Sequence, residues 1–154
     1  MERASPPAAT DEAGIGILGD LVGYHLRRAS TVVGNDFALA LDGTRIRQVL
    51  FAILSIVKNN PGINQGAVGR ALGIQRANMV SLINELVDRA LVDRKTSPGD
   101  RRAFSLTLTA DGEAMFDDCV KRINAHEDRL LSDLSADERA VLIDLLSRIE
   151  AKEL

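Results

Sequence analysis

Apolar residues recur at Leu18, Leu21, Val22, Leu26, Ala29, Val32 and Val33, the three-and-four spacing that lines one face of a helix. Gly34 and Asn35 weaken that pattern and mark its end. A second helix is predicted from about Thr44 to Lys58, burying Ile46, Val49, Leu50, Ile53, Leu54 and Val57. The run Asn59-Asn60-Pro61-Gly62 stops it, because proline cannot continue the backbone hydrogen bonding and glycine tolerates a turn. Asn64 can then cap a short helix ending near Leu72, with Gly73 supplying a sharp turn. Another helix follows from about Gln75 to Ala90, its apolar side made by Met79, Val80, Ile83, Leu86, Val87 and Ala90.

Between Leu91 and Thr109 the period shortens. Leu91–Arg94 and Phe104–Leu108 read as two strands joined by a loop containing Ser97-Pro98-Gly99-Asp100. Thr109 can cap a long helix through Met115, Phe116, Cys119, Val120, Ile123 and Leu130, reaching about Ser132. Ser135 and Glu138 have capping-box spacing and open a last helix carrying Val141, Leu142, Leu145, Leu146 and Ile149. Residues 1–13 are rich in Ala, Pro and acidic side chains without periodicity, and are predicted to form a loose tail ahead of a single domain over residues 14–154. The expected fold class is mainly α with a small β-hairpin wing. Helix, glycine turn, helix and hairpin in that order describe a winged helix-turn-helix over residues 44–109, flanked by helices on both sides.

A chain of 154 residues with 45% apolar side chains can bury one sizeable core, and at 3% aromatics that core is mostly Leu, Ile, Val and Ala. One cysteine, Cys119, excludes an intramolecular disulfide framework, and His25 and His126 have no metal-ligand spacing, so no metal and no cofactor is expected. The opening MERASPPAAT lacks the apolar segment of a signal peptide, and the run Val49–Val57 is far shorter than the ~20 residues a membrane span needs. A cytoplasmic protein with no membrane partner is the expectation.

The net charge of −3 hides an asymmetry. Residues 1–63 carry six acidic and six basic side chains, and residues 109–154 carry twelve acidic and six basic. The middle, residues 64–108, has seven basic (Arg70, Arg76, Arg89, Arg94, Lys95, Arg101 and Arg102) against four acidic. A basic middle suits one surface facing a polyanion. In the second helix of the pair, a 100° step sets Ala77, Asn78, Ser81, Asn84 and Glu85 opposite the apolar stripe. Small and amide side chains permit close approach to a major groove, where an Asn can bond adenine N6 and N7 together. Taken alone, the same face is an ordinary solvated one.

Ala90-Leu91-Val92-Asp93-Arg94 and the stretch SPGDRRAFSLTLTADG at residues 97–112 resemble the wing of the MarR family of bacterial regulators. An Asp-x-Arg falls on Asp100 and Arg102, and a Leu-Thr-x-x-Gly on Leu108, Thr109 and Gly112. The resemblance runs over roughly residues 18–150. It implies that Asp100 braces Arg102 for the minor groove, a narrow electronegative site well suited to guanidinium. It also implies double-stranded DNA as partner, met by Asn64, Gln75, Arg76, Ala77, Asn78, Ser81, Asn84, Arg94, Lys95, Asp100, Arg101 and Arg102. The helices of residues 14–43 and 110–154 would form a homodimer, so that two copies read a pseudo-palindrome. Two departures from the family pattern are Gly66 and Gly69 in the first helix of the pair, and Gln75 in place of a Ser-type cap.

Tyr24, His25 and Arg28 lie in a stretch, Gly23–Ala29, that resembles the first helix of members controlling aromatic-acid breakdown. The implied effector is a small aromatic acid or its coenzyme A thioester. Leu21, Ile53 and Met115 would supply an apolar wall, while His25 or Arg28 would hold the polar end. His25 also reads as a satisfied structural histidine beside the apolar stripe. Cys119 reads as a small buried hydrophobe, and His126 as a surface or interface residue without chemistry. No nucleophile motif, phosphate loop or carboxylate pair points to catalysis. Three classes stay open: a ligand-responsive repressor, a ligand-independent winged-helix module binding DNA or protein, and a small enzyme. Binding to one operator separates the first two from the third, and release by a small molecule separates the first from the second.

Overall fold

A computed structural model describes residues 14–97 and 99–152; the tail expected over residues 1–13 lies outside the described residues. The chain divides into two compact units, Met1–Val32 and Val33–Leu154. In the first, a 3-10 helix at Gly16–Asp20 precedes the start of α1 (Val22–Ala40). The second holds the end of α1, then α2 (Gln48–Asn59), β1 (Ile63–Asn64), α3 (Gln65–Leu72) and α4 (Arg76–Asp88). It continues with β2 (Val92–Ser97), β3 (Asp100–Leu108), α5 (Ala110–Leu130) and α6 (Ala136–Glu150). The fold is mainly helical with a small antiparallel sheet, as the patterning predicts.

Several boundaries differ from the sequence pattern. Helix α1 continues through Gly34 and Asn35 to Ala40. Ala40 and Leu41 are buried and Phe37 packs against the core. Burying a residue such as Leu is worth about 1.5–3 kcal/mol, enough to outweigh the ~1 kcal/mol helix penalty of a glycine. Thr44 does not begin α2. It is buried in the preceding turn, where its hydroxyl donates to the Leu41 carbonyl (2.6 Å) and accepts from Ile46 N–H (3.0 Å). The strands of the hairpin run longer than expected, and a third strand, β1, gives the order β1-β3-β2 with Ile63 opposite Leu106. At two residues β1 is too short to show a period. Helix α4 stops at Asp88, and Ala90 takes a left-handed turn at φ 54°.

Leu50, Ile53, Leu54 and Val57 of α2 meet Val68 of α3, Met79, Ile83 and Leu86 of α4, and Leu106 of β3 in one core. Phe51 stacks on Phe116 at 5.4 Å and meets Phe37 edge-on at 5.8 Å, so three of the few aromatics gather at its border. Lys58 bonds Glu113 and lies 3.5 Å from Asp117, tying α2 to α5. The Glu113 bond, with the two nearby carboxylates, raises the Lys58 pKa. The capping box forms as predicted, with Ser135 accepting from Glu138 N–H and the Glu138 carboxylate accepting from Ser135 N–H. Helix α6 buries no residue: Val141, Ile143, Leu145 and Ile149 are all exposed, as are Val32, Val33 and Leu39 of α1.

Candidate nucleic-acid interface

Helices α3 and α4 are joined as the sequence predicts. Asn64 caps α3, its Oδ1 accepting from Ala67 N–H at 2.8 Å, and Gly73 closes it at φ 64°. Gln75 enters α4 in extended conformation without a side-chain cap bond, as its departure from the Ser-type cap leads one to expect. Met79, Ile83 and Leu86 anchor α4 in the core, which leaves Arg76, Ala77, Asn78, Val80 and Ser81 exposed on its first turns. A cleft of about 590 Å³ opens between α3, the start of α4 and β3, with Asn64, Arg70, Gln75 and Arg76 beside Val80 and Phe104.

The second half of the polar face is engaged within the chain. Glu85 pairs with Arg47 at 2.5 Å. Asn84 Oδ1 accepts from Arg94 Nη1 at 2.7 Å, and the Arg94 guanidinium lies 5.0 Å from the centre of the Phe104 ring. Arg89, just past α4, donates to the backbone carbonyls of Arg45 (2.8 Å) and Thr44 (3.1 Å). Arg45 itself holds φ 59°, so this turn is kept in an uncommon conformation by its neighbours. Residue spacing reveals none of these links, since Arg47 and Glu85 stand 38 positions apart.

The hairpin projects from a fastened base. Thr109 Oγ1 donates to the Ala90 carbonyl at 2.6 Å and accepts from Gly112 N–H at 2.9 Å, while Thr109 N–H bonds the Leu91 carbonyl at 3.1 Å. A Cβ on Gly112 would collide with the Leu91 carbonyl, which is why this position takes glycine. The Leu-Thr-x-x-Gly motif is therefore a knot joining the end of α4, the wing and α5. Lys95 is exposed on β2. Asp100, Arg101 and Arg102 lie on β3, but the expected bracing of Arg102 by Asp100 lies outside the described side chains.

The effector residues fall in both units. In the first, the Arg27 and Arg28 guanidinium groups each lie 5.7 Å from the Tyr24 ring centre, and His25 meets that ring edge-on at 5.5 Å. His25 Nε2 donates to the Gly19 carbonyl at 2.9 Å, which leaves Nδ1 unprotonated in the neutral ring. Leu21 is exposed. In the second unit Ile53 is wholly enclosed by the core and Met115 is half-buried against it. Cys119 is fully buried, and burial pushes its thiol pKa up. His126, read as a surface or interface residue, is half-buried and bonds Asp36 at 3.0 Å. Among the described residues no group of three His, Cys, Asp or Glu could hold a metal ion, and no helix is long and apolar enough to cross a membrane.

A glycine-turned helix pair, a polar exposed helix start and a basic hairpin define a winged helix-turn-helix protein of the transcriptional-regulator class. A sequence profile of the MarR family matches residues 51–103. A Thauera aromatica protein named as a transcriptional regulator for the hcr operon is 32% identical over 146 residues, 93% of this chain and 88% of that one. The transcriptional repressor CouR, in a structure bound to a 23-mer DNA duplex, is 36% identical, with 90% of this chain and 99% of that chain covered at TM-score 0.85. CouR bound to p-coumaroyl-CoA gives 34% identity, 92% and 100% coverage and TM-score 0.78. The regulator PcaV of Streptomyces coelicolor, in complex with its natural ligand, is 26% identical, with 92% and 100% covered at TM-score 0.76. The chain belongs to the MarR family.

Proposed function

We propose that the protein is a homodimeric transcriptional repressor that binds a pseudo-palindromic operator and is released by a small aromatic acid or its coenzyme A thioester. Its work is binding rather than catalysis, and it is done in the cytoplasm, beside the chromosome. The observation that carries the reading is the start of α4, where Arg76, Ala77, Asn78 and Ser81 stand exposed on a helix anchored by its opposite side. Recognition helices present their N-terminal residues to base edges in this way. Likeness to CouR on DNA over 90% of this chain supports the same partner. Arg102, braced by Asp100, would enter the minor groove, while Lys95 and Arg101 meet phosphates.

The exposed apolar faces of α1 and α6 favour a dimer built from residues 14–43 and 110–154. Large apolar side chains exposed along one helix mark an interaction site. One recognition helix reads only a few base pairs, and two copies a helical turn apart read a palindrome. The effector class is supported by the Tyr24 ring, with two guanidinium groups each 5.7 Å from its centre, and by CouR's complex with p-coumaroyl-CoA. Such a ligand releases DNA only by binding the DNA-incompetent state more tightly.

The test is binding of the purified protein to a duplex from its own upstream region, with random duplex as control, over a salt series. A steep fall of affinity with salt and a clear preference for the upstream duplex are expected. Arg102→Ala should weaken binding by roughly 1–3 kcal/mol while the dimer persists. A panel of benzoates, hydroxycinnamates and their thioesters is then added, and repeated with Arg28→Ala. A monomeric protein without sequence preference defeats the reading. If nothing in the panel loosens the complex up to millimolar concentration, the ligand-independent alternative replaces the effector assignment.

A further inference from the structure

One side chain links the recognition helix to both strands of the wing. Arg94 stands on β2 opposite Leu106, at the root of the hairpin. It donates to Asn84 Oδ1 on α4 at 2.7 Å and lays its guanidinium over Phe104 of β3 at 5.0 Å. Arginine has no acceptor, so the Asn84 amide must turn its oxygen inward to meet it. That oxygen is the group a paired contact with adenine N6 and N7 would require. Asn84 also lies eight residues past Arg76, roughly 12 Å along the helix axis, beyond the first turns that face base edges. Both side chains are half-buried, in contrast to exposed Asn78 and Lys95.

We infer that Arg94 and Asn84 are positioning residues, a clasp that sets the angle between wing and recognition helix, and that neither touches DNA. The inference rests on the DNA-binding reading above and refines it. Arg94 spends its charge on an amide oxygen and an aromatic face, so it releases no counterion when DNA binds. Its worth lies in letting the major-groove helix and the minor-groove wing engage at once, as one rigid reader. Without the clasp, the two would dock separately and pay the ordering cost on binding.

Operator binding is measured for wild type, Asn84→Ala, Asn84→Asp, Arg94→Ala and the double alanine variant, each over a salt series and with a thermal melt. Asn84→Asp keeps the acceptor for Arg94, now charge-assisted, but places a carboxylate where a DNA contact would need a donor. The clasp predicts affinity within about threefold of wild type for Asn84→Asp and a loss of about tenfold for Asn84→Ala and for Arg94→Ala. It predicts a double variant no weaker than either single one, because both remove the same contact, and salt slopes equal to that of wild type. Asn84→Asp binding as poorly as Asn84→Ala overturns the inference. So does an Arg94→Ala slope shallower by about one, the mark of a lost phosphate contact, or an Arg94→Ala affinity equal to wild type. Should wild type itself show no operator preference, the DNA-binding reading fails first, and that result is distinct from all of these.

Discussion

Replacing Gly112 with alanine adds one carbon at the most crowded glycine among the described residues. The new Cβ meets the Leu91 carbonyl oxygen and carbon, which are backbone and cannot swing aside like the end of a side chain. The first turn of α5 must therefore move away from the start of β2. Overpacking of this kind costs about 1–3 kcal/mol. The move also strains the Thr109 N–H bond to Leu91 and the Thr109 hydroxyl bond to Ala90, each worth about 0.5–1.5 kcal/mol. Alanine returns about 1 kcal/mol of helix propensity, so the net loss is roughly 1–5 kcal/mol. For a chain of this length that lowers the melting temperature by roughly 2–20 °C. Gly66→Ala is the control. It also places alanine in the first turn of a helix, but its Cβ finds only ordinary contacts, 3.4 Å from Asn64 Oδ1 and 3.5 Å from Arg70 Nη1. It should raise the melting temperature by about 1–3 °C. Both are read by calorimetry at one fixed protomer concentration, since a dimer melts in a concentration-dependent way. A Gly112→Ala variant melting within about 2 °C of wild type would refute the collision, and so would equal shifts for the two variants.

The capping box of α6 couples stability to pH. Hydrogen bonds from Ser135 N–H and then from the Ser135 hydroxyl hold the Glu138 carboxyl below its usual value. Its contribution is therefore present above the unfolded carboxylate pKa of about 4.3 and is lost as pH falls through the lowered folded value. Urea midpoints should show Glu138→Gln less stable than wild type near neutrality, with the gap closing in acid; a gap that widens in acid has the wrong sign. Ser135→Ala should cost about 1 kcal/mol near neutral pH, and an unchanged urea midpoint speaks against the cap. Buried Cys119 keeps its proton, so maleimide should label it only as the protein unfolds, and peroxide should leave the operator complex intact. Release by peroxide in wild type but not in Cys119→Ser would make it a thiol switch.

What could be read directly from the chain was whatever is settled within a few residues. Asn64, Thr109 and Ser135 cap their helices by bonds to an N–H three positions on. Gly73 takes the left-handed turn that divides α3 from α4. Most periodic apolar positions in α2 and α4 became the core, because a helix with one apolar stripe has one way to bury it, while Val80 and Ala90 stayed exposed. The wing was legible for the same reason, as two short apolar runs around a turn.

Distance in sequence hid the rest. Helix α1 passes Gly34 because Ala40 and Leu41 find a core made by residues that follow them. Strand β1 exists only because β3 offers it a partner more than forty positions later. Asn84 looks, on a helical wheel, like one more polar reader beside Ala77 and Ser81; only the folded hairpin brings Arg94 to its oxygen and turns it inward. Gly112 matches a motif in the sequence, but its reason is the carbonyl of Leu91, which arrives beside it when the wing closes. Caps and periods are local hydrogen bonding and local burial, written in spacing. Which polar groups remain free to meet a partner depends on long-range packing, and that is decided only when the chain has folded.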